Sequence, residues 1–258
     1  MPKQPSISVP QVDSVSKALQ ILDCFTSRTA ELPLKELCLQ TGLYKSRVHR
    51  LCATLLKAGY LVRSSRTNYC LGPKVLALGK TYEKTNSLRS VASFHMKQLS
   101  EETGESTVLY LLDNYKCMCL AREMGASRLI FSINEGDYSE PTPTAAGRVL
   151  LAFSDSAIVD RILATAPKTP FTSRTKTMIE DIKKDLQQIK KQGYGIDDQE
   201  LEEGIAAIAA PIFDYENKLS AALAVAGPAH RFTSDYKKDV LARLLHTTEE
   251  ISHMLGNT

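Results

Sequence analysis

The sequence predicts an α+β protein in two parts, a small N-terminal winged helix-turn-helix and a larger α/β unit, joined by a linker helix. Three observations predict this. Two stretches of helical periodicity meet at Gly42 and precede two short strands of alternating polarity. Farther along, long amphipathic helices flank apolar strands. The charge also changes sign, because residues 1–71 hold ten Lys/Arg and four Asp/Glu, net +6, and the remainder holds 22 and 25, net −3.

In the first part, apolar residues at helical spacing predict three helices, and glycines mark two of the helix ends. Gly42 supplies the turn after the second helix, and Gly59 suits a left-handed cap after the third. Asp13 or Ser14 is available to cap the first helix. Two strands around a polar tip then predict a wing. The predicted helices cover residues 12–25, 34–41 and 43–58, and the strands cover 60–65 and 68–72.

A linker helix over residues 74–82 is predicted to lead to a domain boundary in the polar segment 83–87. In the second part, Asn114 and Tyr115 form the turn of an antiparallel strand pair. The resulting sheet is expected to be mostly antiparallel. Its predicted strands cover 106–113, 116–124, 128–133, 194–197, 204–213 and 219–227, and the helices cover 88–102, 145–153, 155–165, 177–192 and 234–255.

Composition narrows the class of protein. Apolar residues make up 43% and charged residues 24% of the chain, as in ordinary globular proteins. The longest nearly uncharged apolar run spans nine residues, 205–213, against the roughly 20 that a membrane helix needs. No apolar stretch follows the first lysine, so no secretory signal is expected. We therefore expect a cytoplasmic protein with no membrane partner.

The six cysteines predict neither a disulfide framework nor a metal centre. They lie at positions 24, 38, 52, 70, 117 and 119, and no C-x-x-C pair occurs. Cys117 and Cys119 share a strand face, but no second pair of ligands follows to complete a zinc set. We interpret them as reduced, packed thiols and expect neither a metal nor another cofactor. A metal or redox role is the alternative.

The third predicted helix has the two faces that a DNA-reading helix needs. At about 100° per residue, the apolar positions Val48, Leu51, Cys52 and Leu55 form one stripe. Arg50, His49 and Ser46 lie on the outer face, and residues 43–57 contain no acid. Side chains of these types read base edges in the major groove, while nearby cations hold phosphates. A solvated basic face is the alternative.

The tip of the wing could add contacts to the neighbouring minor groove or backbone. Arg63 and Arg66 supply charge there, and Asn68 supplies a hydrogen bond. The partner that these features predict is double-stranded DNA. The complete set of predicted DNA-binding residues is Tyr44, Lys45, Ser46, Arg47, His49, Arg50, Arg63, Arg66 and Asn68.

A second candidate site lies where a predicted helix begins after Pro143 and Thr144. Amide groups at a helix N-terminus attract a carboxylate, and the small side chains of Ala145, Ala146 and Gly147 allow it to come close. Thr144 is equally well explained as an ordinary N-cap.

Several motifs together resemble the IclR family of bacterial transcriptional regulators. The third helix carries KSRVHRLC, and the second part carries LSEETGEST, PTAAGRVLLAF, GYGIDDQELEEGIAAIAAPIFD and ALAVAGPAHRFT in the family's order. The resemblance covers about residues 12–255. It implies a DNA-binding domain over 1–71, a linker helix over 72–86, and a GAF-like domain over 87–258 that binds a small metabolite, the effector. It also implies a homodimer or homotetramer on operator DNA.

The resemblance places the effector's anionic group at the amides of Ala145 and Ala146, with Asp197 as a polar partner; a solvated acid in a turn is the other interpretation of Asp197. The chain departs from the family pattern at Arg47, where a small hydroxyl residue is usual, and at other positions in the implied effector site. There, alanines replace a cysteine and two serines, and a threonine replaces a histidine. The implied effector site comprises Thr142, Thr144, Ala145, Ala146, Gly147, Asp197, Ala207, Ala224 and Ala226.

The alanines predict a wider and less polar pocket, and hence a carboxylate on an aromatic or otherwise apolar body. One alternative function is an enzyme acting on a small organic acid with a nucleic-acid-tethering module. The sequence has no G-x-S-x-G, phosphate-binding glycine loop or H-E-x-x-H motif to support it. Another alternative is a thiol redox sensor that uses Cys117 and Cys119.

Overall fold

The computed structural model describes residues 12–26, 29–85, 87–126, 133–167 and 169–257. The chain forms two compact units, residues 1–85 and 86–258. The elements of the first unit are α1 (Asp13–Leu22), β1 (Glu31–Leu32), α2 (Leu34–Thr41), α3 (Lys45–Lys57), β2 (Leu61–Arg63), β3 (Tyr69–Leu71) and α4 (Pro73–Thr85).

The helices α1, α2 and α3 of the first unit pack around one apolar core. Gly42 ends α2 with a φ of +67°, and Gly59 follows α3 with a φ of +79°, a conformation that glycine adopts without steric cost. The core residues include Ile21, Leu37 and Val48, which are fully buried. The helix-turn-helix predicted from the apolar periodicity is therefore confirmed.

Three details of the first unit differ from the sequence prediction. Val12 rather than Asp13 or Ser14 is the N-cap of α1, so Asp13 is already helical. The strand β1 pairs with β3 and makes the wing three-stranded, in the order β1-β3-β2. The helix α4 continues to Thr85, because Glu and Lys in the polar segment are good helix formers. The division of residues 1–86 into a domain and a linker stays a prediction.

The second unit is a six-stranded antiparallel sheet with helices on both faces, in the strand order β6-β5-β4-β9-β8-β7. Its elements are α5 (Ser87–Thr103), β4 (Ser106–Asp113), β5 (Lys116–Glu123), β6 (Tyr138–Ser139), α6 (Ala145–Ala152), α7 (Ser156–Thr165), α8 (Ile179–Gln192), β7 (Gly195–Asp198), β8 (Ile205–Phe213), β9 (Leu219–Pro228) and α9 (Ser234–Met254), with a short 3₁₀ turn at Ala229–Arg231.

Side chains of the central strands β8 and β9 alternate between two apolar cores. On β9, Ala224 and Ala226 face the core formed with α6, α7 and α8. Leu223 and Val225 face the core formed with α5 and α9. The sheet is therefore the middle layer of three, which explains why β8 and β9 are apolar along most of their length.

The predicted hairpin turn between β4 and β5 is confirmed, since Asn114 and Tyr115 have φ values of 46° and 68°. Positive φ at both central residues is the conformation of a type I′ turn. The predicted strand 128–133 falls mainly on residues 127–132, which lie outside the described residues. The described helices include none long and apolar enough to cross a membrane.

Candidate nucleic-acid interface and ligand site

One face of α3 is fixed in the core of the first unit and the other is open to solvent. Val48, Cys52 and Leu55 are buried. Tyr44, the N-cap residue, is 86% exposed. The remaining predicted residues of this helix are likewise exposed, namely Lys45, Ser46, Arg47, His49 and Arg50.

The exposed face of α3 carries positive charge and no acid of its own helix. Lys45 and Arg50 have no carboxylate partner in the described part of the chain. Arg47 differs, because its Nη2 donates to Oδ2 of Asp13 at the start of α1. The helix itself is free of acid, as the sequence showed, but an acid from another helix lies at its flank.

Two of the predicted wing residues are engaged within the wing. The guanidinium of Arg63 lies 3.9 Å from the centroid of the Tyr69 ring. Its Nη2 donates to the Tyr69 hydroxyl at 2.8 Å, and its Nη1 donates to the Thr67 carbonyl oxygen. Asn68 Nδ2 donates to Glu31 Oε1 at 2.9 Å. Both side chains therefore have partners within the wing, and their contacts with DNA stay a prediction.

Glu31 places a negative charge beside the wing tip that sequence reasoning missed. Ser64 Oγ donates to Glu31 Oε1 at 2.6 Å. The hydrogen bonds from Ser64 and Asn68, together with the charge of Arg66, hold the pKa of Glu31 below its ordinary value. Arg66 is an exposed cation at the tip.

In the second unit, the start of α6 is built as the sequence predicted, with one amide already used. Thr144 is the N-cap, and its Oγ1 accepts from the amide of Gly147 at 3.0 Å. A Cβ on Gly147 would lie 2.1 Å from the carbonyl oxygen of Pro141, so glycine is required by close packing. Among the described residues, nothing accepts from the amides of Ala145 and Ala146. Those two amides are the ones placed to receive an anion.

The predicted alanines and Asp197 lie together on neighbouring strands. Asp197 pairs in register with Ala207, and Ala207 pairs with Ala226. Ala224 lies two residues before Ala226 on the same face of β9. Thr142, which precedes α6, is buried as well. Small side chains thus form a continuous patch of the sheet face that α6 covers.

Asp197 is a buried acid and not a solvated turn residue, with 5% of its surface exposed. Its Oδ1 accepts from the amide of Glu200 at 2.7 Å. Burial raises the pKa of Asp197 to about 6, while its backbone hydrogen bonds and the charge of Arg148 act in the opposite direction. A buried carboxyl of this kind can donate or accept a hydrogen bond near neutral pH.

Sequence reasoning missed a buried ionic network that begins at Arg148 on α6. Arg148 is fully buried, and its Nη1 lies 2.6 Å from Oε2 of Glu200. Its Nε lies 3.1 Å from Oδ2 of Asp185, without the alignment of a hydrogen bond. Nζ of Lys176 lies 3.1 Å from Asp185 and 3.2 Å from Glu200. The charges of two cations and two carboxylates therefore compensate each other in a network that includes Arg148 of α6.

The thiols of Cys117 and Cys119 face the same core and are free. Burial raises the pKa of each to about 12. A thiol with this pKa is protonated at neutral pH and reacts slowly with oxidants. The described residues also include no cluster of three or more His, Cys, Asp or Glu that could hold a metal ion.

Two family models match the chain in succession. Residues 14–65 match the IclR helix-turn-helix domain, and residues 80–253 match the bacterial transcriptional regulator IclR C-terminal domain.

Proteins with similar sequences are named as regulators. The Pca regulon regulatory protein of Pseudomonas putida is 31% identical over 244 residues, covering 94% of this chain and 84% of that protein. The HTH-type transcriptional regulator KdgR of Escherichia coli is 30% identical over 250 residues, covering 95% of both.

Solved structures are similar along nearly the whole chain. A putative IclR transcriptional regulator from a Silicibacter species has a TM-score of 0.87 and 30% identity, covering 95% of this chain and 97% of that one. An IclR homologue from Microbacterium hydrocarbonoxydans, complexed with 4-hydroxybenzoate, has a TM-score of 0.82 and 20% identity, covering 94% and 98%. The second likeness is one of fold.

Proposed function

Since this chain belongs to the IclR family of bacterial DNA-binding transcriptional regulators, we propose that it binds operator DNA through α3 and the wing, under the control of a small carboxylate effector. Its relatives are regulators and not enzymes. The observation that carries the proposal is the exposed, cationic and acid-free outer face of α3, held in place by a buried apolar stripe.

The proposed DNA contacts divide by chemistry. Ser46, His49 and Arg50 are exposed near the start of α3, where a recognition helix reads base edges. Lys45 and Arg66 are exposed cations suited to phosphates. Arg63 and Asn68 act first through the shape of the wing. We infer that two copies of α3 in a homodimer or tetramer meet successive turns of the operator, inside the cytoplasm where the genome lies.

The proposed effector site is the start of α6 and the alanine-rich sheet face beneath it. The unused amides of Ala145 and Ala146 suit a carboxylate. Ala207, Ala224 and Ala226 suit an apolar body, and Asp197 suits a polar group at its far end. The fold-related homologue with bound 4-hydroxybenzoate supports an aromatic acid.

The salt dependence of DNA binding tests the first half of the proposal. Replacing Lys45 by Ala should weaken binding and lower the magnitude of the slope of log K against log salt by about one per subunit, because one phosphate contact is lost. The control is Lys191→Ala in the last turn of α8, which removes an exposed cation far along the chain. An unaltered slope for Arg50→Ala and Lys45→Ala together would contradict the assignment of α3.

Thermal-shift and calorimetric measurements with benzoate, 4-hydroxybenzoate, pyruvate and glyoxylate test the second half. We expect the aromatic acids to bind more tightly. Ala226→Ser should weaken their binding, while Ala221→Ser, on the opposite face of β9, should leave it unchanged. Binding of the two small acids without the aromatic ones would overturn the predicted pocket.

A further inference from the structure

The N-terminal ends of α1 and α3 contact each other beside the exposed face of α3. Asp13 is the first residue of α1, and Arg47 is the third residue of α3. Their side chains form an ion pair between Arg47 Nη2 and Asp13 Oδ2. The two side chains remain 65% and 43% exposed, Asp13 and Arg47 respectively, so neither is buried by the contact.

This pair has little value for the stability of the fold. Exposed ion pairs contribute little because water screens them and because two flexible side chains must be held in one geometry. The first unit already has an apolar core that fixes α1 against α3, with Ile21 and Val48 fully buried. What the carboxylate does change is the direction in which the guanidinium points.

The chemistry of arginine makes that direction useful. A guanidinium has five N–H donors in a rigid plane, and the contact with Asp13 uses only one edge of it. The remaining donors match the O6 and N7 acceptors of guanine in the major groove. Side chains near the start of a recognition helix are the ones that reach base edges.

We propose that Asp13 is a positioning residue for Arg47, and that the pair makes Arg47 a specificity-determining residue for one guanine in each operator half-site. The inference rests on the proposed binding of operator DNA through α3. It goes beyond that proposal by assigning a role to a residue of α1, which does not itself touch the bases.

The full-length protein is first used to select the duplex that it binds best from a pool of random sequences. Its affinity is then measured for every single-base variant of that duplex. Arg47→Ala should abolish the preference for one guanine. Asp13→Asn should lower that preference at least fivefold, within the range that a bidentate arginine contact supplies. Preferences at the other positions and the melting temperature should stay unchanged. Asp13→Glu should restore part of the preference.

The matched control is Asp23→Asn, which removes the same charge from the far end of the same helix. It should leave the base preference intact. The double variant Asp13→Asn/Arg47→Ala should behave as Arg47→Ala alone, because a positioning residue has no effect once its target is gone.

Each other outcome overturns the inference. If Asp13→Asn strengthens binding to every duplex equally and keeps the base preference, the carboxylate neutralises the charge of Arg47 and does not orient its side chain. If neither variant changes the preference, the ion pair is an ordinary surface contact. If the wild-type protein selects no sequence at all, operator binding itself fails and the inference fails with it. These results are distinguishable in one experiment.

Discussion

At the scale of single residues, Arg148 is a fully buried cation of the second unit, and we expect its ion pairs to stabilise that unit. It lies fully buried on α6 within an otherwise apolar helix, and it is balanced by Glu200, by Asp185 and by the carbonyl oxygen of Ile196. Removing one partner of a buried ion pair leaves the other uncompensated, and that costs more than the pair contributes.

We therefore expect Arg148→Ala to lower the free energy of unfolding by about 3–5 kcal/mol. Glu200, which is buried, would keep only Lys176 as a cation. The measurement is denaturant unfolding of the full-length protein. The control is Arg243→Ala, which removes two ion pairs of an arginine whose side chain is 40% exposed. This change should lower the free energy of unfolding by at most about 1 kcal/mol. Equal costs for the two variants would show that the Arg148 network is not stabilising.

The sequence could not predict these long-range pairs, although it predicted many of the residues near them. Arg148 and Glu200 are 52 residues apart, and Asp13 and Arg47 are 34 apart. Helical periodicity places a residue on a face of its own helix and carries no information about which distant side chain meets it. Thr144 was within reach of sequence reasoning because a cap acts on its own first turn.

At the scale of elements, the strength of the periodic signal decided what could be predicted. The helices α1, α3 and α8 have a clear apolar stripe, and their predicted bounds agree with the structure within a few residues. The strands β1 and β6 have two residues each, too few to show alternation. The sequence did predict the strands β3 and β5, but their pairing with β1 and β6 became evident only in the structure.

The wing shows a case in which strand register reveals a contact that charge alone does not. Arg63 lies directly opposite Tyr69 in the antiparallel pair. Directly opposed side chains on one sheet face are close enough to interact, and an arginine over an aromatic ring is held by cation–π attraction. Charge alone predicted a DNA contact for Arg63, which stays a prediction, and the register adds a contact within the wing.

At the scale of the whole molecule, the net charge changes sign along the chain. The N-terminal 71 residues carry +6, and the rest of the chain carries −3. A basic unit is attracted to the DNA polyanion, and the acidic remainder opposes non-specific binding. In the proposed function, specific control comes from a ligand that prefers one of two states of the protein, since a ligand with equal affinity for both shifts nothing.

Thermodynamic linkage requires the coupling between the acid and the DNA to be reciprocal. The acid that produces the largest thermal shift is expected to change the affinity of the protein for a selected duplex by a factor α. The duplex must then change the affinity for that acid by the same factor, and typical coupling places α at about 5 to 150. Titration calorimetry of the acid with and without duplex, beside DNA-binding isotherms with and without acid, measures both. The proposal is satisfied whether the acid raises or lowers the affinity for DNA. Relatives include repressors, and an acid could either release a repressor from its operator or strengthen its binding. An acid that binds at the start of α6 yet leaves DNA affinity unchanged would show that this site does not control the operator.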